Sequence, residues 1–340
     1  MQGRSSFMVA MTEPVVSFVI PVRNDAEGLD RCLRSIRANG AAAVAIEVIV
    51  VDNGSTDASA SVARRHGARV IEQRHGSVAV LRNIGAAEAT GTLLAFVDAD
   101  HEIAPTWVST GASILARPSV AAAGALCQAP DNGTWVQRGY GLLRGSPRAE
   151  RDVEWLGSGN LMVRRDVFDS VGGFDTSLTT CEDVDLCNRM RTRGLRIVSS
   201  AAMHSVHYGD PATLRDVLVG ELWRGRDNLR VSMRSISWRG LPSVVIPMLD
   251  LVMLAVAVGG VAVLASGRLA GLILALSAVS LVAAAATLRV ARAAWSSERV
   301  GPVALLQAWL VSIAYDIGRA LALIARTPHR RTAAPVTALR

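Results

Sequence analysis

The chain has 340 residues, 50% of them hydrophobic and 4% aromatic, with a formal net charge of +7. All 36 basic side chains are arginine, but so few aromatics argue against a nucleic-acid module, which sets stacking residues among its basic ones. The mean hydropathy of +0.31 is high for a purely soluble protein. Its excess gathers after Leu241, so the sequence reads as a soluble domain followed by a membrane region.

Residues 1–14 lack the apolar core of a signal peptide and read as disordered, with Met8 and Met11 as alternative starts. Four scattered cysteines (Cys32, Cys127, Cys181, Cys187) show no metal spacing and fit reduced thiols in the cytoplasm. Residues 16–20 form a first strand that Pro21 ends. Leu29, Cys32, Leu33 and Ile36 then give one apolar face to a helix over 26–39, stopped at Gly40. A strand over 46–51 runs into Asp52-Asn53-Gly54-Ser55-Thr56-Asp57, a turn with helix caps to spare. A short strand near 69–71 and a helix over 78–89 lead to Leu93-Leu94-Ala95-Phe96-Val97, an unbroken apolar run that reads as a strand buried on both faces. A helix from Pro105 to about Arg117 and a strand over 120–126 follow. Residues 129–151 read as a mobile loop, 160–164 as a strand, 182–193 as a helix and 195–199 as the final strand, ahead of His204 and His207. Strand and helix alternate, which implies a doubly wound α/β layer structure.

The central strand delivers Asp98 and Asp100 to its carboxyl end, where ligands bind in such sheets. Two carboxylates there can offer hard oxygens to Mg²⁺ or Mn²⁺ together with substrate phosphates. Asp-x-Asp alone is a weak signal. Phosphate-loop alternatives fail: Gly139-x-Gly141 meets Arg144 where a third glycine belongs, and a Walker loop needs a lysine.

The segments Val19-Ile20-Pro21-Val22-Arg23-Asn24, Val50-Val51-Asp52-Asn53-Gly54-Ser55-Thr56-Asp57, Asp98-Ala99-Asp100 and Glu182-Asp183, in this order, resemble family 2 glycosyltransferases over roughly residues 15–228. That resemblance implies a GT-A fold with a Rossmann-like mixed sheet. It also implies an inverting hexosyltransferase-class enzyme that uses a nucleotide-diphospho-sugar donor. By resemblance, Asp52 contacts the base and Pro21 and Arg23 line the neighbouring strand end. Locally Asp52 equally fits an Asx-turn. Arg82 looks like the basic residue near the nucleotide, against a solvated helix face. Asp100 is the direct metal ligand, and Asp98 addresses the ribose or reaches the metal through water. Asp183 is the base and Glu182 an orienting residue, although acidic groups in a first turn also suit the helix dipole without function. His207 resembles a histidine that completes the metal site in related enzymes, with His204 competing. Trp155, Gly157, Ser158 and Gly159 resemble the stretch that faces the acceptor. The Gln-x-x-Arg-Trp of processive synthases is replaced by Glu221-Leu222-Trp223-Arg224-Gly225-Arg226, which favours single-sugar transfer.

Residues 229–243 form a basic linker at the membrane surface. Runs over 244–265 and 269–288 are each long enough to cross a bilayer. Residues 303–325 are long enough as well, but carry Asp316 and Arg319, and Ser312 shares their face; whether they span stays open. Arginines before and after the hairpin and in the basic tail 326–340 place the catalytic part on the cytoplasmic side of the inner (plasma) membrane. The partners expected are the donor, membrane lipids and a lipid-linked or cell-envelope glycan acceptor, with no nucleic acid. Two rivals stand beside this reading: a sugar nucleotidyltransferase, which would want a glycine-rich basic loop near the N-terminus, and a non-catalytic membrane scaffold.

Overall fold

In the computed structural model, the described residues are 15–41, 44–145, 149–234, 241–295 and 300–325. The chain runs from β1 (Val15–Val22) through α1 (Ala26–Ala38), β2 (Ala45–Asp52), α2 (Ser59–Arg65), β3 (Arg69–Glu72) and α3 (Val78–Glu88) to the central strand β4 (Leu93–Val97). Next come β5 (His101–Ile103), α4 (Trp107–Leu115), β6 (Val120–Gly124), β7 (Cys127–Gln128), α5 (Trp135–Arg144), β8 (Arg151–Val153), β9 (Asn160–Arg164), α6 (Arg165–Ser170) and α7 (Glu182–Thr192). After β10 (Arg196–Ser199) and β11 (Ser205–His207), the helices α8 (Leu214–Arg224), α9 (Asn228–Arg234), α10 (Pro242–Ala265), α11 (Ala270–Trp295) and α12 (Pro302–Leu321) follow.

The larger sheet has the order β3-β2-β1-β4-β9-β6-β10-β8, with β9 and β8 antiparallel to their neighbours, so it is mixed. A second, three-stranded sheet has the order β5-β11-β7. Period-two alternation in β4 sends Leu93, Ala95 and Val97 to one core, with α1, α2 and α4. Leu94 and Phe96 enter the other, with α3, α6 and α7. Both faces of the sheet are therefore sealed, as the continuous apolar run requires. On the second face Phe96 packs between Phe168 and Phe174, with ring centroids 5.3 and 5.0 Å away.

Three expectations are corrected. Pro21 does not end β1: it lies inside the strand, opposite Val51 of β2. The ladder to β4 covers only Val16–Val19, so the missing N–H of Pro21 falls where no bond on that side is owed. Residues 129–151 are not a mobile loop throughout, because they hold α5. Thr134 Oγ1 accepts from Gln137 N at 3.3 Å and Gln137 Oε1 accepts from Thr134 N at 2.8 Å, a closed capping box. What makes α5 possible is tertiary: Val136 is buried with Val217 of α8 and Val311 of α12, and a Cβ on Gly139 would sit 3.1 Å from Val311. Nor is 195–199 the last strand, since β11 pairs antiparallel with β5 and parallel with β7.

Two helices among the described residues, α10 and α11, are long and apolar enough to cross a membrane. They pack closely because glycines meet backbone: a Cβ on Gly271 would lie 2.3 Å from Leu264 N. The helix α12 is different. Its Ala308, Val311, Ser312, Asp316, Gly318 and Ala320 are buried, and it lies on α5 and α8. Glu221 of α8, fully buried, accepts from Arg319 Nε at 2.6 Å, Arg224 at 2.8 Å and Tyr140 Oη at 2.6 Å. Asp316 is paired with Arg289 of α11. The first part of the expected linker is the helix α9; the linker's residues 235–240, and the expectations for residues 1–14 and 326–340, lie outside the described residues.

Candidate active site

Three parallel strands, β2, β1 and β4, end side by side and bring Asp52, Pro21–Arg23 and Asp98 to one edge. Asp52 is buried, and its Oδ1 accepts from Ser55 N at 3.1 Å and from the Ser55 hydroxyl. Asp52 thus braces its turn three residues on, at Ser55, rather than as an Asx-turn two residues on, and among the described residues its second carboxylate oxygen shows no hydrogen bond. Pro21 is half-buried and Arg23 exposed beside it. Asn24, at φ 52°, accepts from Thr56 N at 2.7 Å, tying the loop after β1 to the loop after β2.

Arg82 is no solvated helix residue. It is 2% exposed, and its guanidinium bridges Asp98 Oδ1 at 2.6 Å and Glu182 Oε1 at 2.9 Å. A fixed fork suits that geometry as an ammonium would not. Of the pair it makes with Asp98, it is Asp98 that is open to solvent, its side chain 34% exposed. Glu182 is buried and also accepts from Ser158 Oγ at 3.3 Å.

Asp183 opens α7 one residue later. Its Oδ1 accepts from Val184 N at 2.8 Å, and its Oδ2 lies 3.4 Å from Ser158 N. Burial, and then the charge of Glu182, push its carboxyl up to about 7. The residue before the pair, Cys181, holds φ 61°, a left-handed conformation that costs a non-glycine residue about 1–2 kcal/mol. Strain of this kind persists where surrounding structure fixes it, here at the entry to the acidic pair.

The acceptor-facing stretch predicted from sequence lies against these carboxylates. Gly159 O accepts from Asp98 N at 3.3 Å, and a Cβ on Gly157 would lie 3.8 Å from Asp183 Oδ2. Trp155 is 48% exposed.

The small sheet builds the third side. His207 Nε2 lies 3.2 Å from Asp100 Oδ2, and its Nδ1 lies 2.7 Å from Asp210 Oδ1. Asp210 Oδ1 also accepts from Arg144 of α5 at 2.5 Å. Burial opposes the His207 cation, but Asp100 and Asp210 outweigh it and hold its pKa well above the usual value. His204 is not part of this group: its Nδ1 lies 3.1 Å from Ala201 O. One ligand atom each from Asp100, His101 and His207 fall within 4.8 Å of one another, and a Cβ on Gly209 would lie only 2.0 Å from Asp100 Oδ2. A carboxylate, imidazoles held from behind and a glycine that leaves room suit a divalent cation, whose arrival would release the His207 proton. Sequence reasoning missed His101, Asp210 and Arg144. Only His101 carried a local signal, its place directly after the acidic pair.

The profile of "Glycosyl transferase family 2" matches residues 17–172. The glycosyltransferase AglE of Haloferax volcanii is 30% identical over 213 residues, 59% of this chain and 69% of its own length. The chain is a family 2 glycosyltransferase. The pre-mycofactocin glycosyltransferase of Mycobacterium tuberculosis is 30% identical over 195 residues, which cover 54% of the transferase described here but 40% of that longer relative. The solved mannosyltransferase PcManGT of Pyrobaculum calidifontis, in complex with GDP-Man and Mn²⁺, superposes with a TM-score of 0.58 at 18% identity. That match covers 90% of this chain and 88% of PcManGT. The likeness establishes that the transferase has the GT-A-like mixed-sheet fold.

Proposed function

We propose that this glycosyltransferase moves a sugar from a nucleotide-diphospho-sugar to an acceptor hydroxyl with inversion, and that Asp183 is the base. The observation that carries it is a carboxyl pushed up to about 7, beside the glycines of the acceptor-facing stretch and joined through Glu182 and Arg82 to Asp98. Such a group is ionised in useful measure at neutral pH yet basic enough to accept a hydroxyl proton in the transition state. The acceptor oxygen forms its bond to the anomeric carbon as the bond to the diphosphate oxygen breaks, and the proton passes to Asp183. Asp52, Pro21 and Arg23 hold the nucleoside end. Asp100 and His207 are the direct holders of Mg²⁺ or Mn²⁺; Asp98 contacts the ribose or reaches the ion through water. When bound, the cation neutralises the leaving diphosphate as a Lewis acid. Trp155, Gly157, Ser158 and Gly159 receive the acceptor.

The hairpin α10–α11 crosses the inner (plasma) membrane, and the catalytic part lies on its cytoplasmic side. Outward apolar side chains such as Leu249, Val258, Ile273 and Leu276 support that reading, and the burial of α12 against α5 and α8 supports a third helix that does not cross. The location favours a lipid-linked or cell-envelope glycan acceptor and transfer of one sugar at a time.

The test is nucleotide release from UDP-, GDP- and dTDP-sugars by detergent-purified protein with Mn²⁺ or Mg²⁺ and bacterial lipid extract. Metal-dependent turnover of one donor, abolished by EDTA and in Asp183→Asn, is the expected result. No turnover together with no nucleotide binding by calorimetry would refute the reading.

A further inference from the structure

The cleft contains one imidazole to which the mechanism above gives no task. His101 follows Asp100 directly, opens β5 and is 3% exposed. Its Nδ1 pairs with Ser205 Oγ at 3.0 Å, and its Nε2 lies 3.9 Å from Asp100 Oδ1. The ladder between β5 and β11 sets His101 directly opposite His207. Directly opposed residues on an antiparallel pair share a face, so the register itself lays the two rings together. Their centroids are 4.5 Å apart and their planes meet at 34°.

Two features separate His101 from a space-filling core histidine. Each ring in the pair is gripped by one nitrogen from behind, His101 by Ser205 and His207 by Asp210, which fixes its orientation and leaves Nε2 to the front. That is how ligating histidines are held. Next, the chain keeps open the space in front of His101. A Cβ on Gly159 would lie 3.0 Å from His101 Nε2 and 2.7 Å from Asp98 Oδ2. The group of ligand atoms spans 4.8 Å. Adjacent ligands on an ion with bonds of about 2.1 Å sit about 3 Å apart, a contraction within reach of side-chain rotation.

We infer that His101 is a third protein ligand to the divalent cation, completing with Asp100 and His207 a set of two imidazoles and one carboxylate. The inference rests on the metal-assisted reading of the site and deepens it by naming the cation class. Mg²⁺ keeps to oxygen ligands, whereas imidazole suits first-row transition metals. The site is therefore selective for Mn²⁺ or a similar ion over Mg²⁺.

Mn²⁺ alone is the probe. Full-length protein in detergent is titrated with Mn²⁺ and with Mg²⁺ by calorimetry, and the Mn²⁺-loaded protein is examined by pulsed electron paramagnetic resonance for directly bound nitrogen. Two nitrogens are expected in the native protein, and one each in His101→Asn and His207→Asn. His101→Asn should lose about tenfold or more in Mn²⁺ affinity and much less in Mg²⁺ affinity. Melting curves establish that both variants fold, and either variant alone decides the nitrogen count. A single nitrogen in the native protein, or a signal and affinity unchanged in His101→Asn, would overturn the third ligand while leaving Asp100 and His207 in place. Native protein that binds no Mn²⁺, with or without UDP or GDP, would remove the metal-assisted reading and this inference with it.

Discussion

Replacing Asp183 by Asn tests the catalytic assignment and its physical cause together. Asparagine keeps the oxygen that accepts from Val184 N at 2.8 Å and replaces the ionisable oxygen, 3.4 Å from Ser158 N, by an amide NH₂. Burial and the charge of Glu182 push the Asp183 carboxyl up to about 7 in the folded protein, against 3.8 for an ordinary aspartate. The folded value is the higher one, so between those limits the native state keeps a proton that the unfolded chain has lost. Native stability therefore falls as pH rises through that window. At about 1.4 kcal/mol per unit, the raised value costs the native state roughly 4 kcal/mol at pH 8 and roughly 1–2 kcal/mol at pH 5. Asp183→Asn escapes this cost, so its advantage over the native protein should widen by about 2–3 kcal/mol from pH 5 to pH 8. For a protein of this size that is roughly 3–5 °C in melting temperature, readable by melts in detergent at the two pH values. Turnover should move oppositely: a loss of about 10²–10⁴-fold at neutral pH. In the native protein kcat/KM should rise with pH and level off above about 7. A stability gap that stays constant from pH 5 to pH 8, or a native rate profile with no break near neutrality, would refute the reasoning.

Three further outcomes follow from the packing. Arg82→Met should destabilise the fold by about 3–5 kcal/mol, because it leaves Asp98 and Glu182 without their shared buried cation; denaturant midpoints check it, and Arg82→Lys should rescue only part. Gly209→Ala places a methyl where Asp100 Oδ2 now stands, so Mn²⁺ affinity measured by calorimetry should fall by about tenfold or more with little change in melting temperature. Glu221→Gln removes the anion that Arg319 and Arg224 share, which should cost about 3–5 kcal/mol and expose α12 to limited proteolysis before the rest of the chain.

What could be seen in the sequence follows the range of the forces that decide each element. The strand before Asp98 was legible because both its faces are buried and five apolar residues state this locally. The amphipathic face of α1 was legible for the same reason. By contrast, α5 is rich in glycine and arginine, and its apolar partners come from α8 and α12, far along the chain, so no local period announces it. Arg82 reads from sequence as a basic residue near the nucleotide, but its two partners, Asp98 and Glu182, come from two other elements and leave no local sign. Likewise, the choice between His207 and His204 depended on the register of β11 against β5, which residue spacing does not fix. His101 escaped notice because its function depends on what lies opposite it.

The seat of α12 has a consequence for how this enzyme can be handled. A soluble fragment cut just before Pro242 would seem a natural subject for crystallisation, since it sheds the greasy hairpin. It would also shed the helix that covers Val136 and Val217 and neutralises Glu221. The fragment would show water an apolar strip on α5 and α8, together with a buried acid short of one arginine. From α5, Arg144 reaches Asp210 and through it His207, so loosening that helix would loosen the grip on the histidine proposed to hold the cation. A fragment that keeps α12 and replaces only the hairpin by a short polar link is the better surrogate.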